Sequence, residues 1–472
     1  MTQSSVEILY YNENASSIVA SAGRISTTKG NAIEIYEKSC KKTEEENEAL
    51  IKKILLSGHT SVLEHFYFNL AFNNVSVFVE QFMIEFRLAS FTVKSRRYVD
   101  FSKMGYVSPD FHLYGDKETE LKEIYQEHME YLFDEYNYLL ENGVPKEDAR
   151  FVLPYSFRSN FYCTVNAREL IKIVNEMIWG RGKEYPEIVS LGKLIMNHCQ
   201  TLAPFLDFGK ESYCLENSGL QSPKALQRRN QQESTGREKE FVCLLNGPQN
   251  PEEIICRAAV LENGTDAGEF EDINDRVLQK KILRQVLSKS RKRELEQVNF
   301  TILFQNISLA GITHLVRHRM QSVIIPRYID ACSFDNYIMP ESIVKAGLKE
   351  RYISVFLKTK QVSEVLRSHG YRKADQVYLL LSGLTVPVMT TMNANELVTF
   401  IRLRSCNRAQ WEIRDLSISL LELLRKKYPV LFSLYGPTCY MTGLCPEGRM
   451  SCGKAEQVKK FFAMKDNQTK AE

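Results

Sequence analysis

Hydrophobic and polar positions follow the same order twice along this 472-residue chain. An apolar strand-like run, a polar turn and a small-residue helix occur in VEILYYNENASSIVASAGR near the start, and again in FVCLLNGPQNPEEIICRAA from Phe241. In each stretch the helix follows a turn that contains Asn or Pro, as expected of a strand–turn–helix unit. The pattern therefore points to an internal repeat, which decides the architecture of the whole chain.

The repeat continues through the rest of both halves. Residues 45–90 and 278–322 each contain an amphipathic helix, an alternating strand (FYFNLAF and NFTILFQ) and a second helix that ends near an arginine. Further on, DARFVLPYSFRSNFYCTVNARELIKIVNEM parallels ADQVYLLLSGLTVPVMTTMNANELVTFIRLR. Matching positions stay about 227 to 236 residues apart throughout. This steady offset predicts a tandem duplication.

Helical and strand patterns alternate within each copy, so we expect an α+β fold in which each copy is a mixed sheet packed with helices. A polar, charged stretch without apolar periodicity separates the copies and is typical of an exposed linker. Periodicity does not give the strand order. The predicted boundaries are a first copy over 1–221, a linker over 222–240, a second copy over 241–436 and a cysteine-containing tail over 437–472.

Composition narrows the class of protein. The chain is 44% hydrophobic and 25% charged, as globular proteins are, and its formal net charge of +3 gives no reason to expect a nucleic acid polymer as partner. No run of 18 apolar residues and no signal-peptide pattern occurs, so we expect no membrane association. Most of the eleven cysteines stand singly in apolar segments, which is typical of reduced thiols in the cytoplasm.

The densest cluster of functional side chains is Arg317, His318 and Arg319 in HLVRHRMQS. Two permanent cations and an imidazole at adjacent positions are costly to bury without anionic partners. The preceding Leu315 and Val316 indicate that the segment is packed, so we expect the charges to face a pocket. Phosphate groups suit such a cluster because guanidinium can bind them bidentately, but a structural ion-pair cluster with carboxylates fits RHR alone equally well.

RHR followed by Ser322, and closely by an arginine and a tyrosine, resembles the signature RHRxxSxxxxSxR of flavin-dependent thymidylate synthases. The second copy is about two residues short before Arg327. In the first copy, Glu85 and Phe86 stand at the first two signature positions. The first copy keeps the remaining signature residues in FRLASFTVKSRRY, namely Arg87, Ser90, Ser95, Arg97 and Tyr98.

Further segments carry the same resemblance, which covers roughly residues 1–215 and 240–436. GHTSVLEH (58–65) resembles the family's flavin-side motif, and FIRLRSCNRAQWEIRDL (400–416) resembles its substrate-side helix. Other matches are Asn393 in MNANEL, Asn166 and Arg168 in VNAREL, and Arg150 in ARFVLP.

The resemblance implies an enzyme that methylates dUMP to dTMP, with methylenetetrahydrofolate as carbon donor and NADPH as reductant of bound FAD. No protein nucleophile is needed, because the flavin carries the hydride chemistry. Arg404 is the implied catalytic residue that activates the uracil ring. The residues implied to hold the nucleotide are Arg327, Arg97, Ser95, Arg150 and Arg87. The residues implied to contact FAD are Arg317, His318, Arg319, Asn393, Asn166, Arg168, His59 and Ser61.

Neither copy is complete. The first has Met177 where the activating arginine stands in the family, and the second has SRKRELEQ (290–297) in place of the histidine-bearing GHTSVLEH. Because each copy keeps most of what the other has lost, we expect composite sites and a homodimer that resembles the family's tetramer. Two alternatives remain open. One is a flavin enzyme with another acceptor or one-carbon donor, and the other is a degenerate, non-catalytic nucleotide-binding protein.

The tail carries a separate signal. Cys439, Cys445 and Cys452 lie among glycines and prolines that permit a tight loop, and Cys406 on the Arg404 helix is a fourth candidate ligand. The spacings are looser than those of ordinary zinc knuckles, but four thiolates can bind zinc or an iron–sulfur cluster. Unligated thiols are the alternative. The resemblance does not require a metal.

Overall fold

A computed structural model of the chain describes residues 3–209, 241–264 and 275–468. The predicted linker at 222–240 lies outside the described residues. In chain order the first copy contains β1 (Ser5–Tyr11), α1 (Ala15–Arg24), α2 (Ala32–Cys40), α3 (Glu44–Leu56), β2 (Tyr67–Ser76), α4 (Val77–Ile84), β3 (Ser90–Val93), α5 (Glu118–Glu141), α6 (Lys146–Ala149), β4 (Arg158–Asn166), α7 (Ala167–Ile178) and α8 (Pro186–Leu202).

The second half of the chain runs through a matching series and adds the tail helices. Its elements are β5 (Val242–Asn246), α9 (Pro251–Glu262), α10 (Arg276–Ser288), β6 (Asn299–Ser308), α11 (Leu309–Leu315), β7 (Gln321–Ile324), α12 (Tyr328–Ala331), α13 (Glu341–Lys345), α14 (Lys349–Ser368), β8 (Thr385–Asn393), α15 (Ala394–Arg404), α16 (Trp411–Lys427), α17 (Pro429–Phe432), α18 (Thr438–Thr442) and α19 (Ala455–Gln468). Short 3-10 turns cover Thr60–His65, Phe111–Lys117, Arg150–Val152, Arg293–Gln297, Ala374–Leu379 and Gly448–Met450.

The two copies build the same antiparallel sheet. The strand orders are β1-β2-β4-β3 and β5-β6-β8-β7, and the registers correspond: Phe72 pairs with Phe161, and Phe304 pairs with Val388. Each long central strand carries an irregularity just after that phenylalanine. Because register sets which side chains face the core, an identical register means that the same apolar pattern is used twice. The predicted duplication and the mixed α and β class are confirmed.

Both copies also start the helix after the long strand with the same polar device. Ser76 accepts a hydrogen bond from the backbone N–H of α4, and its own N–H donates to Glu187 at 2.9 Å. Ser308 does the same for α11, with its N–H donating to Glu412 at 2.6 Å. In each copy a carboxylate thus accepts from a backbone amide at the start of the helix, which the helix itself leaves without a partner.

Packing groups the chain into two compact units. The first comprises Met1–Thr235 and Met339–Ser382, and the second comprises Gly236–Ile338 and Gly383–Glu472. Helices α13 and α14, which belong to the second copy in sequence, therefore lie in the first unit. Among the described residues, no helix combines the length and the apolar character that crossing a bilayer requires.

Inside the first unit, α14 packs along α5. Arg351 binds the carboxylate of Glu135 through two hydrogen bonds of 2.6 and 2.9 Å. His128 is buried, and its Nε2 lies 3.2 Å from the hydroxyl of Thr359. Polar contacts of this kind fix the register of two helices that are otherwise held by apolar side chains.

Candidate functional site

A buried imidazole lies at the centre of the site in the second unit. His318 is 4% exposed, and its Nε2 accepts a hydrogen bond of 2.9 Å from Nε of Arg404. Its Nδ1 lies 2.8 Å from a carboxylate oxygen of Glu396. Because a guanidinium can only donate, Nε2 is the unprotonated nitrogen, and the ring proton is on Nδ1, from which it is donated to Glu396.

Helix α15 arranges these contacts by its spacing. Glu396, Phe400 and Arg404 are four residues apart, so they lie one above another on a single face of the helix. The ring of Phe400 meets the imidazole edge-on, with 5.1 Å between ring centroids. Asn393 begins the helix by accepting the backbone N–H of Glu396 at 2.8 Å. The acid therefore lies in the first turn and the guanidinium in the last, which suits the helix dipole.

The surroundings keep the imidazole neutral. Burial lowers the pKa of His318, and the nearby guanidinium of Arg404 lowers it further, while Glu396 acts in the opposite direction. A neutral ring is what the hydrogen bond from Arg404 requires. Arg317 and Arg319, on either side of it, are exposed. We expected all three charges to face a pocket. The structure buries the histidine and leaves both arginines at the surface.

Two arginines predicted to hold the nucleotide come together in the first unit. Nε of Arg97 lies 2.9 Å from the carboxylate of Glu147, and Nε of Arg150 donates to the carbonyl oxygen of the same residue at 3.0 Å. Arg150 is 3% exposed. Burial raises the pKa of the Glu147 carboxyl, although both arginines act to lower it. Ser95 lies in the same loop, where its hydroxyl accepts the N–H of Arg97 at 3.4 Å.

A second group in the first unit surrounds the start of α7. Asn166 caps this helix by accepting the N–H of Glu169 at 2.9 Å, and Arg168 pairs with Glu64. Glu64 belongs to the turn Thr60–His65, which packs against α7. His59 and Ser61, in or beside that turn, are exposed. The predicted flavin-side motif and the VNAREL segment are thus neighbours.

Two further predicted residues lie at the surface. Arg327 precedes α12, and its side chain is 55% exposed and 3.4 Å from Asp330. Arg87 is exposed between α4 and β3. The predicted site residues are divided between the two compact units. The first unit holds Arg87, Ser95, Arg97, Arg150, His59, Ser61, Asn166 and Arg168, and the second holds Arg317, His318, Arg319, Arg327, Asn393 and Arg404.

The four candidate metal ligands all lie in the second unit. Burial raises the pKa of the Cys406 thiol, with added contributions from Cys452, Glu447 and Cys445, and it raises that of Cys439, with added contributions from Cys406 and Cys445. These thiols therefore lie within one another's electrostatic influence. In the part of the chain that the structure describes, no three His, Cys, Asp or Glu side chains are placed to hold a metal ion.

The carboxylates of Glu396 and Glu147, which belong to these clusters, were not predicted from the sequence. Glu396 follows the capping Asn393 by three residues, a spacing at which glutamate is common because it completes a capping box. Glu147 stands three residues before Arg150 in a short helical turn. The sequence did hint at both, since each glutamate lies within one helical turn of a predicted site residue. Which side chain each glutamate binds depends on tertiary contacts, which periodicity does not give.

The two copies each match the same family of known proteins. The family profile described as Thymidylate synthase complementing protein matches residues 7–205 and again 243–430. A flavin-dependent thymidylate synthase of Clostridium tetani is 34% identical over 247 residues, which cover 47% of this chain and 96% of the relative. One from Geobacter sulfurreducens is 37% identical over 186 residues, covering 38% of this chain and 79% of the relative. A crystal structure of the UMP/dUMP methylase PolB from Streptomyces cacaoi, bound with 5-Br dUMP, is 23% identical, covers 44% of this chain and 93% of its own, and has a TM-score of 0.38.

Proposed function

We propose, because this chain belongs to the thymidylate synthase complementing protein family as two diverged copies, that it is a flavin-dependent thymidylate synthase acting on dUMP. In the proposed reaction, the methylene carbon of methylenetetrahydrofolate forms a bond to C5 of uracil, and the C5 proton is lost. A hydride that originates from NADPH reduces this carbon to methyl, and tetrahydrofolate leaves. The hydrogen bond between Arg404 and His318 is the observation that supports the proposal most strongly.

Arg404 is the proposed catalytic residue. Attack from C5 requires electron density in the uracil ring, and a fixed guanidinium stabilises the negative charge that develops on the ring oxygens. The bond to His318 holds one edge of the guanidinium and so restricts rotation of its plane. A positive group that is already oriented needs no reorganisation when the charge appears, which is the source of its catalytic effect.

Arg97 and Arg150 are the proposed ligands of the dUMP phosphate. Guanidinium groups bind phosphate through pairs of charge-assisted hydrogen bonds. Glu147 contacts both arginines, so it holds two cations side by side that would otherwise repel each other. Ser95 lies beside Arg97 and adds a hydroxyl donor. Arg87 and Arg327 are assigned to the same nucleotide by sequence position alone.

The residues assigned to FAD fit an anionic dinucleotide. Exposed donors occur in both units: His59 and Ser61 near the start of α7, and Arg317 and Arg319 on either side of the buried His318. Cationic and hydroxyl donors near a helix N-terminus suit a pyrophosphate. Bound FAD would carry the hydride from NADPH to the one-carbon unit. The assignment is completed by Asn166, Arg168 and Asn393.

We further propose that productive sites are composite. The first copy has Met177 in place of the activating arginine, and the second copy lacks the histidines of GHTSVLEH. A complete set then requires Arg404 and the RHR segment from one copy, with GHTSVLEH and Arg150 from the other. Two chains supply four copies, so the proposed assembly is a homodimer that resembles the family's tetramer.

The direct test is dTMP formation by the purified chain. The protein is incubated with dUMP, methylenetetrahydrofolate, NADPH and FAD, each is omitted in turn, and dTMP is quantified by chromatography. Arg404→Lys keeps a charge but loses the planar fork, so we expect less than about a tenth of wild-type turnover with an unchanged flavin spectrum. Arg402→Lys, two residues earlier on α15, is the matched control. Full activity of Arg404→Lys would place ring activation elsewhere.

The same assay separates the alternatives. Replacement of dUMP by UMP, or of methylenetetrahydrofolate by other one-carbon donors, identifies a flavin enzyme with a different acceptor or donor, which the shortened signature before Arg327 favours. A colourless protein that also fails to bind added FAD in a fluorescence titration would leave only a non-catalytic role.

A further inference from the structure

The hydrogen-bonded chain Arg404–His318–Glu396 runs along one face of α15, which we call the α15 relay. Both ring nitrogens of His318 are engaged, one by each end of the helix. The two contacts are not equivalent. Arg404 can only donate, whereas the carboxylate of Glu396 can only accept while it is ionised. The ionisation of Glu396 therefore determines which ring nitrogen of His318 carries the proton. Arg404 can donate to Nε2 only when that nitrogen is unprotonated.

We propose that Glu396 is a positioning residue: by accepting the Nδ1–H of His318 it keeps Nε2 unprotonated, and so holds the Arg404 guanidinium in the orientation that the reaction uses. The inference rests on the proposed function of Arg404. Without an acceptor at Nδ1, the neutral ring can place its proton on Nε2. An Nε2–H would face the Nε–H of Arg404, two donors with no acceptor between them, and the guanidinium would turn away.

The first copy supports the proposal because it has lost the histidine and the arginine of the relay together. At the positions of His318 and Arg404 it has Phe86 and Met177, both apolar. Met177 is fully buried, and the ring of Phe86 lies 5.1 Å from the guanidinium of Arg181. If the histidine served only for packing, its replacement would not require replacement of the arginine. In the first copy both hydrogen-bonding residues are absent together, as expected if each depends on the other.

The acid alone is retained in the first copy, which makes it a matched control. Glu169 holds the same place as Glu396: it is the third residue of its helix, its N–H is bound by the capping asparagine, and it is mostly buried. Its carboxylate pairs with Lys172 at 3.4 Å. Replacing Glu169 therefore removes a buried acid from the same helix position in the same fold, without touching a histidine.

Three variants compare the acids by activity. Glu396→Leu removes the acceptor at similar size, Glu396→Gln keeps an oxygen that accepts from Nδ1–H, and Glu169→Leu is the control. We expect kcat to fall at least about tenfold in Glu396→Leu relative to Glu169→Leu, as when a histidine loses the acid that fixes its tautomer. KM for dUMP should change less than about threefold, because the lost interaction belongs to the transition state. Glu396→Gln should recover most of the activity. Equal kcat in Glu396→Leu and Glu169→Leu, or no recovery with Gln, overturns the inference.

Nitrogen-15 NMR of histidine-labelled protein tests the same idea without turnover. The His318 signals are assigned by their loss in His318→Gln. We expect a protonated Nδ1 and an unprotonated Nε2 in the wild type and in Glu396→Gln, with the Nε2–H tautomer appearing in Glu396→Leu. A wild-type Nε2–H overturns the inference, whether or not the enzyme is active. A wild type with the expected tautomer that makes no dTMP overturns the proposed function instead.

Discussion

Nε of Arg404 donates to Nε2 of His318 across 2.9 Å, joining two residues that are 86 positions apart in the sequence. Both belong to segments that resemble family motifs, the RHR signature and the substrate-side helix. In the first copy, the corresponding positions have both become apolar. The part of the molecule that we propose to activate the substrate is therefore one hydrogen-bonded unit, present in one copy.

The pH dependence of turnover follows from this bond. His318 must be neutral to accept from Arg404, and its pKa is lowered by burial and by the guanidinium. We expect kcat to stay level around neutral pH and to fall only below the ordinary histidine pKa of about 6.5. Because the Glu396 carboxylate raises this pKa, Glu396→Gln should move the acid limb of the kcat profile to lower pH. An acid limb above neutrality, or one that does not move, would contradict this account.

Nucleotide binding should depend on Arg150. Its buried guanidinium lies beside Arg97 and Glu147, where lysine would keep a charge but lose the planar fork. We expect Arg150→Lys to raise KM for dUMP by about tenfold or more, with FAD affinity unchanged. Lys146→Ala, which removes a charge from the neighbouring turn, is the control. A normal KM in Arg150→Lys would exclude Arg150 from the phosphate site.

Stability should fall in mild acid because of His128. Burial between α5 and α14 lowers its pKa to about 3, so below pH 6.5 the unfolded chain binds a proton that the folded chain does not. Folding is then favoured less as the pH falls. We expect this residue to make the protein about 1.4 kcal/mol less stable at pH 5.5 than at pH 7.5. Urea unfolding of wild type and His128→Gln at both values measures the difference. Identical pH dependence in the two proteins would show that His128 does not contribute.

A thiolate-bound metal at Cys439, Cys445, Cys452 and Cys406 remains a prediction, and ligand chemistry favours zinc. Metal binding would deprotonate thiols whose pKa is now raised, and would brace the loop that follows Arg404. We expect elemental analysis of protein purified without chelator to find close to one zinc per chain. Less than about 0.2 per chain would indicate unligated thiols, the alternative from the sequence.

Sequence patterns anticipated much of the architecture. Alternation and helical spacing predicted the strand–helix order of both copies, and the steady offset predicted a duplication that the equal registers of β2 and β6 confirm. Strand order did not follow from the pattern, because periodicity shows which face is buried but not which strand is the neighbour. The sequence also did not place α14 in the first unit, because an apolar helix face does not specify which apolar surface it packs against.

The site residues that belong to a recognised sequence motif could be predicted. Arg404 and His318 were both found, but the bond between them was not, because it joins segments far apart in the chain. Glu396 illustrates the limit. Three residues after a capping asparagine, glutamate is expected to bond back to the cap. Its carboxylate instead turns to His318, a choice that depends on a histidine 78 positions earlier.

Flavin stoichiometry, combined with mass in solution, tests the central claim most directly. Composite sites mean that two chains form two productive sites, each joining Arg404 to GHTSVLEH and Arg150, while the remaining pair, which carries Met177 and SRKRELEQ, binds flavin poorly. We therefore expect a homodimer of this 54.5 kDa chain that titrates with two FAD molecules. Four equivalent FAD molecules per dimer, or a stable active monomer, would contradict the composite arrangement.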